Sequence, residues 1–203
     1  MSSEVIFKLF FLGLFVAAVT VTVFNQRRAG NYGRGFTSHA RSHAQHEAKG
    51  LLAIRAGLAL LWYPTVLGWL LAPNWIRWSF LTLPEWLRWV GGGTGVVGVL
   101  LLSWSQRSMG RNFAPTLAMK EDHRLVTSGP YRWVRHPMYV AFFLMLCGAG
   151  VLARNWFMEL TGILLITCIM LVRIPAEEVL LANRFGDEYT TYRRKTSAVI
   201  PLR

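Results

Sequence analysis

A basic, aromatic segment stands directly before an apolar run in GPYRWVRHPMYVAFF, residues 129–143. Proline suits the first turn of a helix, because its missing N–H would be unpaired there, so Pro137 predicts a helix start. The residue before a proline is disfavoured in helical geometry, which leaves His136 at the rim of that helix. The free N–H groups of a helix N-terminus attract anions, and Arg132 and Arg135 lie beside it. The segment therefore predicts an anion cradle at the edge of an apolar helix.

A second group of ionisable residues follows the last apolar run, in RIPAEEVLLANRFGDEY, residues 173–189. Arg173 and Glu177 are four residues apart, which places them on one face if the segment is helical. An ionisable residue at a membrane boundary is a candidate for function. We expect Pro175 to interrupt or end the membrane helix and Gly186 to close the amphipathic turns beyond it.

Three histidines offer a different chemistry. His39, His43 and His46 would share one face of a helix and could hold a metal ion. The chain has five histidines in all, which is a small ligand supply for a metal-dependent membrane hydroxylase. A solvated basic segment beside the membrane is the favoured interpretation, and metal binding stays open.

The glycine-rich segment GGGTGVVG contains a G-x-G-x-x-G pattern at Gly93, Gly95 and Gly98. In a Rossmann unit this pattern holds a dinucleotide pyrophosphate, but there it follows a β-strand. Here it lies inside an apolar run, and Gly91 and Gly95 add the G-x-x-x-G spacing that lets membrane helices approach closely. The segment predicts helix packing and not nucleotide binding.

The elements that position these residues are long apolar blocks. The chain has 203 residues, 53% of them hydrophobic, with nine Trp and twelve Phe, which exceeds what a soluble domain of this size needs. Each block approaches or reaches the roughly 20 residues that cross a bilayer. The blocks are residues 5–24, 51–72, 87–105, 138–153 and 156–172. The sequence predicts an all-α, polytopic membrane protein with about five transmembrane helices, of which the first is an uncleaved anchor and the last two form a short antiparallel hairpin.

The net charge of +12 raises the possibility of nucleic-acid binding, but the distribution of the charge argues against it. Of the 22 Lys and Arg residues, 17 fall in the segments 25–50, 106–137 and 173–203. This is the positive-inside pattern, which predicts that these segments are cytoplasmic and that the N-terminus is outside, in the inner (plasma) membrane if the protein is prokaryotic. Membrane lipids are the expected neighbours of the basic residues. Cys147 and Cys168 lie in apolar blocks and are expected to pack as small hydrophobes.

Two of these segments together, HRLVTSGPYRWVRHPMY and RIPAEEVLLANRFGDEYTTYRRKT, resemble the isoprenylcysteine carboxyl methyltransferase family of integral membrane enzymes. The order, the spacing and the RHP-x-Y and R-x-x-x-EE motifs are shared. The likeness covers residues 106–203, whereas residues 1–105 match only as a three-helix membrane region. The resemblance implies a methyltransferase core whose cytoplasmic cofactor site is formed by the 106–137 loop and the C-terminal segment. The helix count is similar to that of the shorter, prokaryotic-type members.

The resemblance implies S-adenosyl-L-methionine as the cofactor and implies no metal. The implied cofactor-binding residues are Thr116, His123, Leu125, Val126, Tyr131, His136, Pro137, Met138, Tyr139 and Glu177. It assigns catalysis to Arg173 and Glu177, with Arg173 facing the substrate. The implied reaction methylates the carboxylate of a prenylated or other lipophilic acceptor that enters from the bilayer. A phospholipid amine and a small thiol stay open as acceptors, and a non-enzymatic or metal-dependent membrane protein is the less favoured interpretation.

Overall fold

Six α-helices form most of the computed structural model, which describes residues 3–29, 49–110 and 124–200. In chain order they are α1 (Ser3–Arg28), α2 (Lys49–Leu71), α3 (Glu85–Met109), α4 (Pro137–Leu152), α5 (Trp156–Phe185) and α6 (Asp187–Lys195). Short 3₁₀ segments cover Pro73–Ser79 and Gly129–Arg132. No extended β-strand occurs in the part of the chain that the structure describes, so the expected all-α class is confirmed.

The membrane character of the chain follows from the length and apolarity of its helices. The helices long and apolar enough to cross a bilayer are Ser3–Arg28, Ala53–Leu71, Glu85–Met109 and Trp156–Phe185. The apolar helix α4 has only 16 residues. At 1.5 Å per residue α4 is about 24 Å long, less than the roughly 30 Å of a hydrocarbon core. The protein is therefore an integral membrane protein with four helices of full spanning length and a shorter fifth apolar helix, as far as the described residues extend.

The expectation that Pro175 ends or interrupts the membrane helix is wrong. Helix α5 runs for 30 residues, from Trp156 through Pro175 to Phe185, so it is not the short hairpin arm that the sequence suggested. Pro175 is exposed, and membrane helices tolerate a proline where other groups satisfy the backbone carbonyl that it leaves without a donor. The turn beyond it is held by contacts of Glu177 and Glu178 with other elements. Gly186, at φ 52°, ends the helix as predicted.

The predicted antiparallel hairpin of α4 and α5 is confirmed. The two helices are joined by three residues, and the Asn155 side chain caps α5 by accepting a hydrogen bond of 2.8 Å from the backbone N–H of Met158. The amide of Asn155 also donates to the Ser79 hydroxyl at 2.8 Å. The backbone carbonyl of Arg154 accepts from the N–H of Leu81 at 2.7 Å. The loop before α3 is thereby fastened to the hairpin turn.

The glycines of α3 serve helix packing, as the sequence predicted. A Cβ at Gly91 would lie 2.8 Å from the backbone nitrogen of Leu152, and a Cβ at Gly98 would lie 2.9 Å from the carbonyl oxygen of Ala141. On the facing helix, a Cβ at Gly148 would lie 2.6 Å from the carbonyl oxygen of Gly91. These backbones approach closely because the side chains between them are absent.

Helix α1 lies parallel to α3 and is fixed to it at both ends. At one end the amide of Asn25 donates to the Gln106 side-chain oxygen at 3.0 Å. At the other, the guanidinium of Arg88 donates to both carboxylate oxygens of Glu4, at 2.7 and 3.1 Å. The bundle thus has two distinct ends. We call the end that holds Asn25, Gln106 and Pro137 the site end, and the end that holds Glu4 and Arg88 the far end.

Candidate functional site

A cavity of about 100 Å³ lies at the site end of the bundle. Four pieces of the chain enclose it: the end of α3, the segment 124–136 with the first turn of α4, the last turns of α5, and α6. Its wall is formed by Met109, Val126, Tyr131, Arg135, His136, Pro137, Met138, Tyr139, Glu177, Leu181, Tyr189 and Tyr192. The wall is largely aromatic and aliphatic, with a few charged groups among the apolar ones, which is the usual character of a small-molecule site.

Glu177 is the carboxylate that faces this cavity. Its Oε1 accepts a hydrogen bond of 2.5 Å from the hydroxyl of Tyr139, in the first turn of α4. Its Oε2 lies 3.4 Å from Nδ1 of His136. The guanidinium Nε of Arg173, one turn earlier on α5, lies 3.7 Å from Oε1. The carboxylate therefore links the two helices at the point where α4 begins.

Glu178 faces the opposite side of the histidine and acts as an anchor. Its Oε1 accepts from Nη2 and Nε of Arg135, at 2.6 and 3.0 Å, and lies 3.4 Å from Nε2 of His136. Its Oε2 lies 3.3 Å from Nε of Arg193. The Arg135 guanidinium also donates to the backbone carbonyls of Arg193 and Thr196. One carboxylate and one guanidinium thus join α5, α6 and the start of α4.

His136 is buried between the two carboxylates, with a side chain 4% exposed. Burial disfavours the charged ring, but hydrogen bonds and Coulomb attraction from Glu177 and Glu178 outweigh burial and raise the pKa of His136 above its ordinary value of 6.5. The imidazolium form is therefore stabilised in the folded protein, and both ring nitrogens have carboxylate neighbours.

The C-terminal segment closes one side of the cavity. The backbone N–H groups of Arg135 and His136 donate to the carbonyls of Ser197 and Ala198, at 2.9 and 3.0 Å. The hydroxyl of Tyr192, on α6, donates to the carbonyl of Tyr131 at 2.6 Å. Residues far apart in the chain are thereby held in register around the start of α4.

Tyr131 provides a polar atom with no partner among the described residues. Its side chain is buried, and its hydroxyl makes no hydrogen bond. Burial, together with the nearby charge of Glu177, raises the pKa of Tyr131 far above its ordinary value, so the hydroxyl keeps its proton. A buried hydroxyl left unpaired is costly and suggests a ligand that accepts a hydrogen bond.

The structure brings together most of the residues that the sequence singled out. Val126, Tyr131, His136, Pro137, Met138, Tyr139 and Glu177 all line the cavity. Leu125 is half-buried in the adjoining segment, and Arg173 lies one turn from Glu177, just outside the wall. Thr116 and His123 lie outside the described residues, as do His39, His43 and His46. In residues 3–29, 49–110 and 124–200, no group of three His, Cys, Asp or Glu side chains could hold a metal ion.

The predicted anion cradle stays a prediction for the N-terminus of α4 and for Arg132, but Arg135 is not a free member of it. The Arg135 guanidinium is already engaged by Glu178 and two backbone carbonyls, and the Arg132 guanidinium stacks over the exposed ring of Trp133 at 4.1 Å. Several wall residues of the cavity were not predicted from the sequence. These are Met109, Leu181, Tyr189 and Tyr192. Leu181 could have been found from its position one turn after Glu177, but no local pattern marks the others.

Known proteins share part of this sequence. The model of the isoprenylcysteine carboxyl methyltransferase (ICMT) family matches residues 92–183. A protein-S-isoprenylcysteine O-methyltransferase of Schizosaccharomyces pombe is 39% identical over 108 residues, which cover 52% of this chain and 46% of that protein. The Homo sapiens protein of the same name is 31% identical over 109 residues, covering 53% of this chain and 38% of that one.

A solved structure shares the fold. The eukaryotic intramembrane Ras methyltransferase ICMT matches with a TM-score of 0.58 and 25% identity, over 77% of this chain and 54% of that one. The chain spans about half, or less, of the length of these relatives. The matched segment, residues 92–183, includes the wall residues of α3, α4 and α5 but not those of α6.

Proposed function

We propose, from the premise that residues 92–183 belong to the isoprenylcysteine carboxyl methyltransferase family, that the chain transfers a methyl group from S-adenosyl-L-methionine to the carboxylate of a prenylated or other lipophilic acceptor. A phospholipid amine and a small thiol are the alternative acceptors. The single observation that carries the proposal is the meeting of His136, Tyr139 and Glu177 in one hydrogen-bonded set at the mouth of the membrane helices.

The residues of the wall suit the chemical groups of this cofactor. Adenosylmethionine carries a carboxylate, an ammonium, a sulfonium and an adenine, so its site needs an acid, hydrogen-bond donors and apolar or aromatic surfaces. Glu177 would face the cationic part, and the unpaired Tyr131 hydroxyl would donate to an acceptor atom. Tyr139 and Met138 would supply apolar wall. When bound, the cofactor supplies an electrophilic methyl group.

The described walls enclose only part of such a ligand. The cavity volume of about 100 Å³ is smaller than the roughly 300–1,000 Å³ of ordinary ligand pockets. We propose that Thr116 and His123, which the family resemblance assigns to the cofactor, add contacts to those of His136 and Glu177. Leu125 and Val126 directly follow that segment and would continue the same wall.

Arg173 is the residue that we assign to the acceptor. Its Nε is buried without a hydrogen bond, and its nearest carboxylate oxygen, on Glu177, is 3.7 Å away. A guanidinium so placed has donors left for a carboxylate on another molecule. A carboxylate that attacks a sulfonium loses its charge in the transition state, so Arg173 should hold one oxygen and leave the other free. Positioning of the two reacting groups would then provide most of the catalysis.

We place the site end of the bundle in the cytoplasm. The support is the concentration of basic residues in the segments 25–50, 106–137 and 173–203, because such segments stay on the cytoplasmic side. The soluble cofactor would then reach the site from the cytoplasm and the acceptor from the bilayer. Reporters fused at residues 120 and 203 should both report a cytoplasmic location, and an external location for either would contradict this orientation.

The activity is tested with purified protein, adenosylmethionine carrying a labelled methyl group, and candidate acceptors in detergent micelles. A carboxyl methyl ester releases labelled methanol in alkali, whereas a methylated amine or thioether does not. Glu177→Gln should lower cofactor affinity about tenfold to a hundredfold, since one charge-assisted contact is worth about 1.5–3 kcal/mol. The matched control Glu188→Gln changes an exposed glutamate on α6 and should leave affinity unchanged.

Transfer to a prenylated carboxylate with alkali-labile product supports the proposal. Alkali-stable product would move the amine or thiol alternative ahead. No detectable binding of adenosylmethionine by the folded parent protein would refute the methyltransferase assignment altogether.

A further inference from the structure

A second cavity, of about 460 Å³, lies at the far end of the bundle. It is bounded by the first turns of α1, the end of α2, the 73–79 segment and the link between α4 and α5. Three of its wall residues are cationic, namely Lys8, Arg77 and Arg154, and one is anionic, Glu4. The candidate methyl-transfer site lies at the opposite end of the same helices, so this cavity has no part in it.

The positive charge of this cavity exceeds what the protein itself neutralises. The single carboxylate, Glu4, is shared by Arg88 at 2.7 Å and Arg154 at 3.0 Å. Lys8 donates to the backbone carbonyl of Leu70 at 2.9 Å, which satisfies a donor but cancels no charge. Arg77 is exposed and has no ion-pair partner among the described residues. Two arginines share one carboxylate, and two further cations stand beside them.

These cations differ in their structural importance. Arg88 is 2% exposed, donates to the carbonyl of Leu152 at 2.8 Å and lies 3.8 Å from the centre of the Phe7 ring, so it is part of the packing. Arg77 makes no such contact in the described structure. Helix packing therefore explains why Arg88 is present, but it does not explain Arg77 on the cavity rim.

The surroundings of the cavity place it at a membrane–water interface. Trp75 and Trp78, in the same 3₁₀ segment as Arg77, are 83% and 60% exposed, and Trp86, at the start of α3, is 66% exposed. Tryptophan side chains concentrate at the level of lipid headgroups. The cavity thus opens where lipid phosphates lie, beside helix faces that remain apolar and exposed.

We propose that this far-end cavity binds the phosphate group of an anionic phospholipid. Arg77 and Arg154 would donate to the phosphate oxygens, since guanidinium groups pair with phosphate through two parallel N–H donors. Asn74 and Thr82, also in the wall, add neutral donors. The chemistry recognised is phosphate, and the tryptophan rim favours a lipid headgroup over a soluble phosphate ester as its source.

The test uses the full chain purified in detergent and titrated with phosphatidylglycerol, with phosphatidylcholine, and with soluble glycerol 3-phosphate, with bound molecules counted by native mass spectrometry. The variant is Arg77→Gln, and the matched control is Arg28→Gln, which removes the same charge from an exposed residue at the site end. The parent should retain phosphatidylglycerol in preference to phosphatidylcholine. Arg77→Gln should weaken that binding about fivefold, the effect of one basic residue near a lipid surface, and Arg28→Gln should not.

Three results would overturn the proposal. Equal retention of the two lipids by the parent would remove the anion preference, and equal weakening in both variants would show a general charge effect. Glycerol 3-phosphate bound as tightly as phosphatidylglycerol would assign the site to a soluble ligand. Because Arg77 has no contact that the fold needs, an unchanged melting temperature of Arg77→Gln excludes unfolding as the reason for a loss.

Discussion

Replacement of Glu178 by alanine should separate the anchoring of the site from the binding of its ligand. Glu178 accepts two hydrogen bonds from Arg135 and lies within 3.4 Å of His136 and Arg193, whereas Glu177 faces the cavity. We expect Glu178→Ala to loosen the junction of α5, α6 and the start of α4. The protein should therefore lose stability before any cofactor is added.

The size of the effect follows from burial and from the partners that remain. The side chains of Arg135 and Glu178 are 9% and 11% exposed, and removing one partner of a fully buried ion pair costs about 3–5 kcal/mol. Here Arg135 keeps its two backbone carbonyl acceptors, at Arg193 and Thr196, so part of its hydrogen bonding survives. We expect a loss of about 2–3 kcal/mol, which lowers the melting temperature of a chain of this size by about 4–12 °C.

The assay is thermal unfolding of the purified protein in detergent, with the parent, Glu178→Ala and Glu188→Ala side by side. Glu188 is exposed on the first turn of α6, so its removal costs only the helix-dipole contribution of about 0.3–1 kcal/mol. A melting temperature of Glu178→Ala equal to that of Glu188→Ala would refute the anchoring role. It would mean that the C-terminal segment is held without the Arg135 pair.

Three further predictions concern the acceptor, the histidine and the helix packing. Arg173→Ala should lose most methyl transfer with cofactor affinity intact, and Arg173→Lys should keep part of the transfer; parental turnover in Arg173→Ala would favour an amine or thiol acceptor. The pKa of His136 is raised in the folded protein, so the charged ring contributes its full stabilisation below pH 6.5. That stabilisation is lost as the pH rises through the folded-state pKa. The melting temperature of the parent should therefore fall over that range relative to His136→Gln. Parallel pH profiles of the two proteins would contradict this. Gly98→Ala should destabilise by about 1–3 kcal/mol through its clash with α4, whereas Gly93→Ala, with nothing within 4 Å, should be neutral or slightly stabilising; equal melting temperatures would count against the packing role.

Much of the fold was predictable because apolar length is a strong local signal. The five apolar blocks, the hairpin and the closing Gly186 are all found in the described structure. The continuation of α5 through Pro175 was not predictable. A proline's local preference ends a helix, but contacts of Glu177 with Tyr139 and of Glu178 with Arg135 hold the next turn in place. Those partners are about 40 residues away in the chain, where no periodicity connects them.

The sequence predicted which residues form the site better than it predicted which of them contact each other. The sequence singled out His136, Tyr139 and Glu177, and the structure brings them to one cavity. The sequence did not reveal that Arg135 forms a salt bridge with Glu178, because a free arginine and a paired one look alike in a sequence. The walls supplied by α6 were missed for a related reason. Tyr189 and Tyr192 lie on a short charged helix, and no local pattern shows that the contact of Arg135 with Arg193 brings this helix to the cavity.

The length of α5 affects how far the proposed methyl-transfer site lies from the bilayer core. Its 30 residues span about 45 Å, roughly 15 Å more than a typical hydrocarbon core. Arg173 and Glu177 lie on the same continuous helix. The number of helical residues that precede them therefore fixes their distance from the bilayer core. In a thicker bilayer a helix of the same length would leave the Arg173 guanidinium closer to the hydrocarbon core, where a charge is costly. Bilayer thickness would thereby become a determinant of the proposed methyl transfer, set by the lipids of the host membrane.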